Sequence, residues 1–141
     1  EARADSYSSL DDLSHLRALV VDDVEVNRII LSELLLDTKI ELYEAENGRV
    51  ALDMFEKSNP GFYNVILMDM QMPVMDGCES AKAIRGLNRP DAKSVTIIAM
   101  TANVFKEDIE KTLASGMDGH IGKPFNIKTV IQTIKRITEA K

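Results

Sequence analysis

The sequence predicts a single α/β domain, a doubly wound parallel sheet of five strands flanked by five helices. Three observations predict this fold class. Short apolar segments with the length of buried strands recur along the chain. Segments whose apolar residues have helical spacing lie between them. The connections are short, so consecutive strands should be parallel, and their carboxyl ends should meet at one edge of the sheet.

The composition is that of an ordinary soluble domain. The chain has 141 residues, of which 45% are hydrophobic, which is enough for one sizeable core. The net charge is −6 and no basic tract is present, which argues against direct contact with nucleic acid. No apolar run approaches the roughly 20 residues of a membrane span. We expect a cytoplasmic chain without membrane contact of its own, although a parent protein can be membrane-anchored.

The N-terminal residues 1–15 are polar and serine-rich, which predicts a linker or flexible arm ahead of a folded domain at residues 16–141. We interpret His15 as a surface histidine. The chain begins at Glu1 rather than Met, which is what a fragment of a longer protein would show, although a processed N-terminus would look the same. The single cysteine, Cys78, permits no internal disulfide, and we expect a buried, inert thiol.

The first predicted strand runs from Leu16 to Val21 and ends directly in Asp22 and Asp23. A helix follows it, predicted by apolar residues at helical spacing: Val26, Ile29, Ile30, Leu34 and Leu35. The second strand, Ile40–Ala45, is short and of mixed polarity, which is typical of a sheet edge. Asn47 and Gly48 open the second helix, and the segment 58–61 ends it.

The third strand is the most informative stretch. Four apolar residues, Val65–Met68, lead directly into Asp69, and Pro73 follows as a turn signal. The run is apolar throughout, so we expect a strand buried on both faces with Asp69 at its carboxyl end. A third helix is predicted from about Asp76 to Ile84.

The fourth strand, Val95–Met100, ends at Thr101. The fourth helix carries Val104, Ile109 and Leu113. The fifth strand, Gly119–Gly122, ends at Lys123. The last helix has isoleucine and valine at helical spacing between residues 127 and 137.

Four of the five strand ends thus carry polar groups to one edge of the sheet, namely Asp22, Asp23, Asp69, Thr101 and Lys123. Each has an ordinary alternative role. An aspartate or threonine after a strand often caps the next helix, and a loop lysine is often only solvated. Together they form a specific set, and the carboxyl edge of such a sheet is where ligands bind.

The chemistry of this set indicates phosphoryl transfer. Three carboxylates at one place repel each other unless a cation neutralises them, and ligands that are all oxygen favour a hard ion such as Mg²⁺. Lys123 and Thr101 would bind phosphoryl oxygens. Asp69 stands alone on the central strand, so it is the better candidate for a nucleophile that forms an aspartyl phosphate. Asp22 and Asp23 are better placed to hold the metal.

These residues, in this order and on these strands, resemble the receiver domain of two-component response regulators over about residues 16 to 140. The receivers of hybrid sensor histidine kinases are the most similar. Their likeness is carried by Val21-Asp22-Asp23, Asn27-Arg28, Leu67-Met68-Asp69-Met70-Gln71-Met72-Pro73, Met75-Asp76-Gly77, Met117-Asp118-Gly119 and Gly122-Lys123-Pro124-Phe125. The resemblance implies a flavodoxin-like sheet of strand order 2-1-3-4-5.

The resemblance also implies roles. Asp69 accepts a phosphoryl group from a histidine kinase or a histidine phosphotransfer protein, and Lys123 pairs with that group while Thr101 moves to bond it. The domain signals rather than turning over substrate, although it can catalyse its own phosphorylation and dephosphorylation. Mg²⁺ is bound by Asp23, Asp69 and the backbone carbonyl of Gln71, with Asp22 acting through water. The family also implies a cis peptide bond before Pro124.

Three positions modify this expectation. Receivers usually carry tyrosine or phenylalanine where this chain has His120. His120 either fills the same space or swings with Thr101 as a pH-sensitive switch. Gln71 and Asn103 lie at positions that tune loss of the phosphoryl group in receivers.

The sequence also indicates an origin and partners for the chain. We expect an excised receiver of a hybrid histidine kinase, with a stand-alone response regulator as the alternative. The first helix is a candidate docking face for the phosphodonor. The face formed by the fourth helix, fifth strand and fifth helix is a candidate surface for a homodimer or output partner; its charged residues are Lys106, Glu107, Glu110 and Lys111.

Two other classes fit less well. An aspartate-nucleophile phosphatase of the haloacid dehalogenase type needs a general acid where Gln71 stands. A flavodoxin-like cofactor binder needs a phosphate-binding loop after the first strand, and this chain has none.

Overall fold

A computed structural model describes residues 12–102 and 106–141, and of residues 106–108 it describes only the backbone. Within these described ranges the five strands are β1 Arg17–Val21, β2 Glu41–Ala45, β3 Val65–Asp69, β4 Thr96–Thr101 and β5 Gly119–Gly122. The five α-helices of the same described residues are α1 Glu25–Leu35, α2 Gly48–Lys57, α3 Gly77–Arg85, α4 Lys106–Ala114 and α5 Ile127–Glu139. A short 3-10 turn, Leu36–Thr38, follows α1.

The strands form one parallel sheet of order β2-β1-β3-β4-β5. This confirms the predicted fold class, the strand order and the position of β2 at an edge. The order reverses between β1 and β3, where ligands bind in open sheets of this kind. None of the described helices is long and apolar enough to cross a bilayer.

Apolar side chains cover both faces of the sheet, because successive strand residues point to opposite sides. In β1, Ala18 and Val20 pack into one cluster together with residues of α1 and α5. Leu19 and Val21 pack into the other, with residues of α2 and α3. All five residues of β3 are buried, which fixes the position of its last residue, Asp69.

Helix starts are held by side chains in several places. Asn47 caps α2 by accepting a hydrogen bond from the amide of Val50. Asp76 and Glu79 form a reciprocal capping box at α3, so this helix begins one residue later than predicted. The residue before α1 is Val24, and no side chain caps that helix. Asp22 and Asp23 therefore do not serve as its N-cap, and the ordinary explanation for this acidic pair fails.

The described part of the predicted N-terminal arm packs onto the domain. Leu13 is buried in the cluster under α1 and α5, and its amide donates a hydrogen bond to the carbonyl oxygen of Thr38 at 2.7 Å. His15 is exposed, as predicted. Leu13 therefore packs with the folded unit, although it lies within the segment 1–15 predicted as an arm.

Most of the apolar residues whose spacing predicted helix α1 do not face the core. Leu31 and Leu35 are fully buried. Val26, Ile29 and Ile30 are 55%, 49% and 42% exposed, although all three are aliphatic. Periodicity identified the helix correctly, but it did not distinguish the stripe that faces the core from the one that faces solvent.

This difference in burial gives a direct test of the fold. Leu31→Ala should lower the free energy of unfolding by about 2–5 kcal/mol, because it removes a fully packed side chain and leaves a cavity. Ile29→Ala, two positions away on the exposed side, should change it by no more than about 0.5 kcal/mol. Urea denaturation followed by circular dichroism measures both. Equal losses in the two variants would contradict the described orientation of α1.

Candidate functional site

The carboxyl ends of four strands meet around a cleft of about 290 Å³. Strand pairing brings them together, since Val21 of β1 lies beside Met68 of β3 and Asp69 lies beside Met100 of β4. The cleft is lined by Asp23, Val24, Asn27, Asp69, Met70, Gln71, Thr101, Ala102 and Lys123. Strand ends far apart in sequence thus form one polar site, as predicted.

Three carboxylates converge at this cleft. Asp22, Asp23 and Asp69 each present an oxygen, and these oxygens all lie within 4.8 Å of one another. Asp22 is fully buried, Asp69 is 6% exposed, and Asp23 is exposed to solvent. Oxygen ligands at such a separation, with one open side, fit a hard divalent cation that retains water. The predicted metal ligands are therefore brought together.

Lys123 is the positive charge nearest to the carboxylates among the described residues. Its Nζ lies 3.3 Å from Oδ2 of Asp22 and 3.4 Å from Oδ1 of Asp69. The amide of Lys123 donates to the carbonyl oxygen of Thr101 at 2.8 Å, which joins the ends of β4 and β5. The peptide bond between Lys123 and Pro124 is cis, as the resemblance implies. One lysine does not neutralise three carboxylates, so the site keeps an excess of negative charge.

The surroundings of Asp69 raise the pKa of its carboxyl group. Burial is the main cause, because it disfavours the charged form, and the charge of Asp22 acts in the same direction. Lys123 and the amide of Gln71, which lies 3.4 Å from Oδ1, oppose this shift. The ionised carboxylate is therefore destabilised here and would gain from a cation or from transfer of a group to its oxygen.

The loop after β3 approaches Asp69 more closely than a side chain would allow. A Cβ atom at Gly77 would lie 2.3 Å from the carbonyl oxygen of Asp69, and one at Gly48 would lie 2.5 Å from that of Met75. The amide of Gly48 donates to this Met75 oxygen at 3.1 Å. These glycines let the starts of α2 and α3 pack directly on the loop. The sequence singled out Asn47-Gly48 and Asp76-Gly77 as helix starts and did not reveal these close approaches.

The same loop contains a strained residue. Val74 has a φ of 73°, and across it the amide of Met75 donates to the carbonyl oxygen of Pro73 at 2.8 Å, which makes a γ-turn. A β-branched residue rarely adopts positive φ, and such strain tends to occur at functional sites. The turn leaves the Val74 side chain 81% exposed. No sequence signal marked this conformation.

The remaining predicted residues lie in different places. Gln71 lines the cleft. His120 is half-buried on β5 and does not line it. His120 pairs with Ala99, and Thr101 pairs with Gly122, so His120 and Thr101 share one face of the sheet. Asn103 lies outside the described residues. Cys78 is buried, as predicted.

This combination of fold and site is that of signalling domains that accept a phosphoryl group on an aspartate. The chain belongs to the response regulator receiver domain family, whose model matches residues 18–135. It is a receiver domain of two-component phosphorelay signalling and is homologous to the receivers of hybrid histidine kinases.

One curated relative and two solved structures illustrate the similarity. The chain is 37% identical to hybrid signal transduction histidine kinase L of Dictyostelium discoideum over 96% of its own length but only 8% of that protein. The receiver domain of sensor histidine kinase PA1611 from Pseudomonas aeruginosa, with magnesium coordinated in its active-site cleft, matches with TM-score 0.78 and 29% identity, covering 88% of this chain and 98% of that one.

The second solved structure is a complex. It contains the Saccharomyces cerevisiae histidine phosphotransfer protein Ypd1 and the receiver domain of its downstream response regulator Ssk1. The match has a TM-score of 0.77 and 32% identity, and covers 87% of this chain and 88% of that one.

The raised pKa of Asp69 predicts that Asp69→Asn and wild type differ in stability and that this difference depends on pH. Above the folded-state pKa, the ionised Asp69 carboxylate costs stability, so Asp69→Asn at pH 7 should raise the melting temperature by about 2–5 °C without divalent cations. As pH falls through the raised pKa of the folded protein, wild type takes up its proton and regains this stability. The difference should vanish below the ordinary pKa of 3.8.

Thermal melts of the two proteins between pH 3.5 and 7.5 measure this difference. Asp37→Asn, at an exposed carboxylate outside the cleft, is the control and should melt like wild type. If Asp69→Asn also melts like wild type at pH 7, the ionised Asp69 carboxylate does not destabilise the folded protein.

Proposed function

We propose that Asp69 accepts a phosphoryl group from a phosphohistidine in a Mg²⁺-dependent reaction and that the change at this site carries the signal. One observation supports this most strongly. Asp69 is a nearly buried carboxylate at the end of the central strand, with Lys123 3.4 Å away and two further carboxylates within metal-sharing distance. A nucleophile, a positive charge and a set of cation ligands therefore occupy one cleft.

In the proposed reaction an oxygen of Asp69 attacks the phosphorus of the phosphohistidine. A phosphorus–oxygen bond forms, the phosphorus–nitrogen bond breaks, and the imidazole leaves with its electron pair. Burial of β3 holds the nucleophile in place, which provides the positioning on which phosphoryl transfer mainly depends. Lys123 offsets the negative charge of the incoming group.

We propose that Asp22, Asp23 and Asp69 hold Mg²⁺ together with the backbone carbonyl of Gln71. The donor set fits this ion because it consists of oxygen alone and carries more negative charge than Lys123 balances. When bound, Mg²⁺ supplies the positive charge that lets phosphoryl and carboxylate oxygens approach each other. The magnesium in the cleft of the similar Pseudomonas receiver supports this assignment.

The aspartyl phosphate is proposed to act through Thr101 and His120. The Thr101 hydroxyl donates a hydrogen bond to the phosphoryl group, and His120, on the same face of the sheet, follows its movement. Gln71 borders the cleft beside Asp69 and is proposed, with Asn103, to set how fast water removes the group. The lifetime of the phosphorylated protein after donor removal tests this, and an unaltered lifetime in Gln71→Ala would contradict it.

We propose that the phosphodonor docks on the α1 patch, which consists of Val24, Val26, Ile29 and Ile30. All four side chains are more than 40% exposed. Val24 lines the cleft, so the patch is continuous with the site where the phosphohistidine must arrive. Val26, Ile29 and Ile30 share a face of α1, because they stand at positions i, i+3 and i+4. Such a face suits packing against an apolar helix. The complex of a similar receiver with a histidine phosphotransfer protein supports this class of partner.

We infer that the parent protein is a hybrid histidine kinase, because five of the curated relatives carry that description. A stand-alone regulator is less favoured by these relatives. The output or homodimer surface is proposed on α4, β5 and α5. Of its charged residues Glu110 and Lys111 are exposed, whereas the side chains of Lys106 and Glu107 lie outside the described part.

The Mg²⁺-dependent reaction is tested with acetyl phosphate as donor. Intact-mass spectrometry should show wild type gaining one phosphoryl group with Mg²⁺ and none after chelation, because the carboxylates then repel the donor. Asp69→Asn should show no gain, whereas the control Asp37→Asn should behave like wild type. A gain that persists in Asp69→Asn would place the nucleophile elsewhere.

The docking surface is tested separately. Ile29→Asp should slow transfer from a phosphorylated histidine phosphotransfer protein by about tenfold, because a charge replaces a buried apolar contact worth more than about 1 kcal/mol. Its rate with acetyl phosphate should be unchanged, since the cleft is intact. Leu113→Asp, at an exposed leucine on α4, is the control. Equal transfer rates in all three proteins would exclude the α1 patch.

A further inference from the structure

Asp23 differs from the other two carboxylates in how it is held. Asp22 is fixed at both side-chain oxygens, by the amide of Val24 at 2.9 Å and by Lys123. Asp69 is fixed by burial and by Lys123. Among the described residues no side-chain hydrogen bond holds Asp23, which is exposed. The direction of its carboxylate therefore depends on the backbone that precedes it.

That backbone is fixed by Arg28. One nitrogen of its guanidinium group, Nη1, donates to the carbonyl oxygen of Asp22 at 2.6 Å. This oxygen belongs to the planar peptide unit that joins Asp22 to Asp23, so its direction also sets the direction of the Asp23 amide. In the preceding peptide unit, which joins Val21 to Asp22, the amide of Asp22 donates to the carbonyl oxygen of Ala45 at 3.1 Å.

Glu44 in turn fixes Arg28. Nε of Arg28 lies 2.8 Å from Oε1 of Glu44 on β2, and the Arg28 side chain is only 14% exposed. The guanidinium group is planar and presents its donors in a fixed geometry, so a bond to Glu44 at Nε determines where Nη1 points. A lysine ammonium group on a flexible chain would not be directed in this way.

We propose that Arg28 is a positioning residue for the metal site, with Glu44 as its support. Arg28 touches neither the cation nor the phosphoryl group in this arrangement. It holds the Asp22–Asp23 peptide unit in the orientation that turns the Asp23 carboxylate toward Asp22 and Asp69. This rests on the proposed function, because it assumes that these three carboxylates bind Mg²⁺.

The measurement is Mg²⁺ binding to the complete chain by isothermal titration calorimetry. Arg28→Gln should weaken the affinity by about tenfold, as loss of an outer partner of a metal ligand does. Glu44→Gln should weaken it less, because the bond from Arg28 to the Asp22 carbonyl oxygen remains. The control is Arg17→Gln, which breaks a different ion pair to β2, that of Arg17 on β1 with Glu41 at the far end of the strands. Arg17→Gln should bind Mg²⁺ as wild type does.

The Mg²⁺ dependence of phosphorylation distinguishes positioning of the metal site from a general role of Arg28 in stability. If Arg28 acts by positioning, the Mg²⁺ concentration that half-saturates phosphorylation by acetyl phosphate should rise, while the rate at saturating Mg²⁺ stays the same. Arg28→Lys should lie between wild type and Arg28→Gln, and it tests the proposal should the glutamine variant fail to fold. Wild-type Mg²⁺ affinity in the Arg28 variants would overturn the positioning role and leave the proposed function intact. Absence of Mg²⁺ binding by wild type would overturn both.

Discussion

The repulsion among three carboxylates gathered at neighbouring strand ends is the constraint on which the site depends. Asp22, Asp23 and Asp69 present oxygens within 4.8 Å of one another, and Lys123 offsets only part of their charge. Burial raises the pKa of Asp69 and so stores electrostatic strain in the folded protein. In the proposed function, a divalent cation would relieve this strain, and phosphorylation of Asp69 would change it again. The same charges would then account for the proposed metal requirement and for the change that follows phosphorylation.

The parallel sheet keeps these charges together despite their repulsion. The apolar run of β3 is buried on both faces, so Asp69 cannot withdraw without unpacking the core. Around this centre the polypeptide adds supports from separate elements. Gly77 lets α3 begin against the carbonyl oxygen of Asp69, and Arg28 holds the peptide unit between Asp22 and Asp23. The site is therefore rigid at Asp69, the proposed nucleophile, and depends on a single arginine at Asp23, the exposed member of the proposed metal ligands.

The sequence was most informative where structure depends on local pattern. The run Val65–Met68 followed by Asp69 predicted a buried strand with its carboxylate at the end, and the alternation of strands and helices predicted which ends would meet. Contacts between distant elements could not be predicted in this way. The approach of Gly77 to Asp69, the γ-turn at Val74 and the bond from Arg28 to Asp22 depend on how separate loops pack. The exposure of one apolar face of α1 could not be predicted, because its residues are as apolar as the buried ones.

Direct identification of the modified residue tests the central claim. Borohydride reduces an aspartyl phosphate to homoserine, so a protein phosphorylated from a phosphohistidine donor with Mg²⁺ can be reduced, digested and sequenced by tandem mass spectrometry. The account predicts homoserine at position 69 alone, and none when Mg²⁺ is chelated before the donor is added. Homoserine at position 22 or 23, or a phosphoryl group that borohydride does not convert, would contradict it.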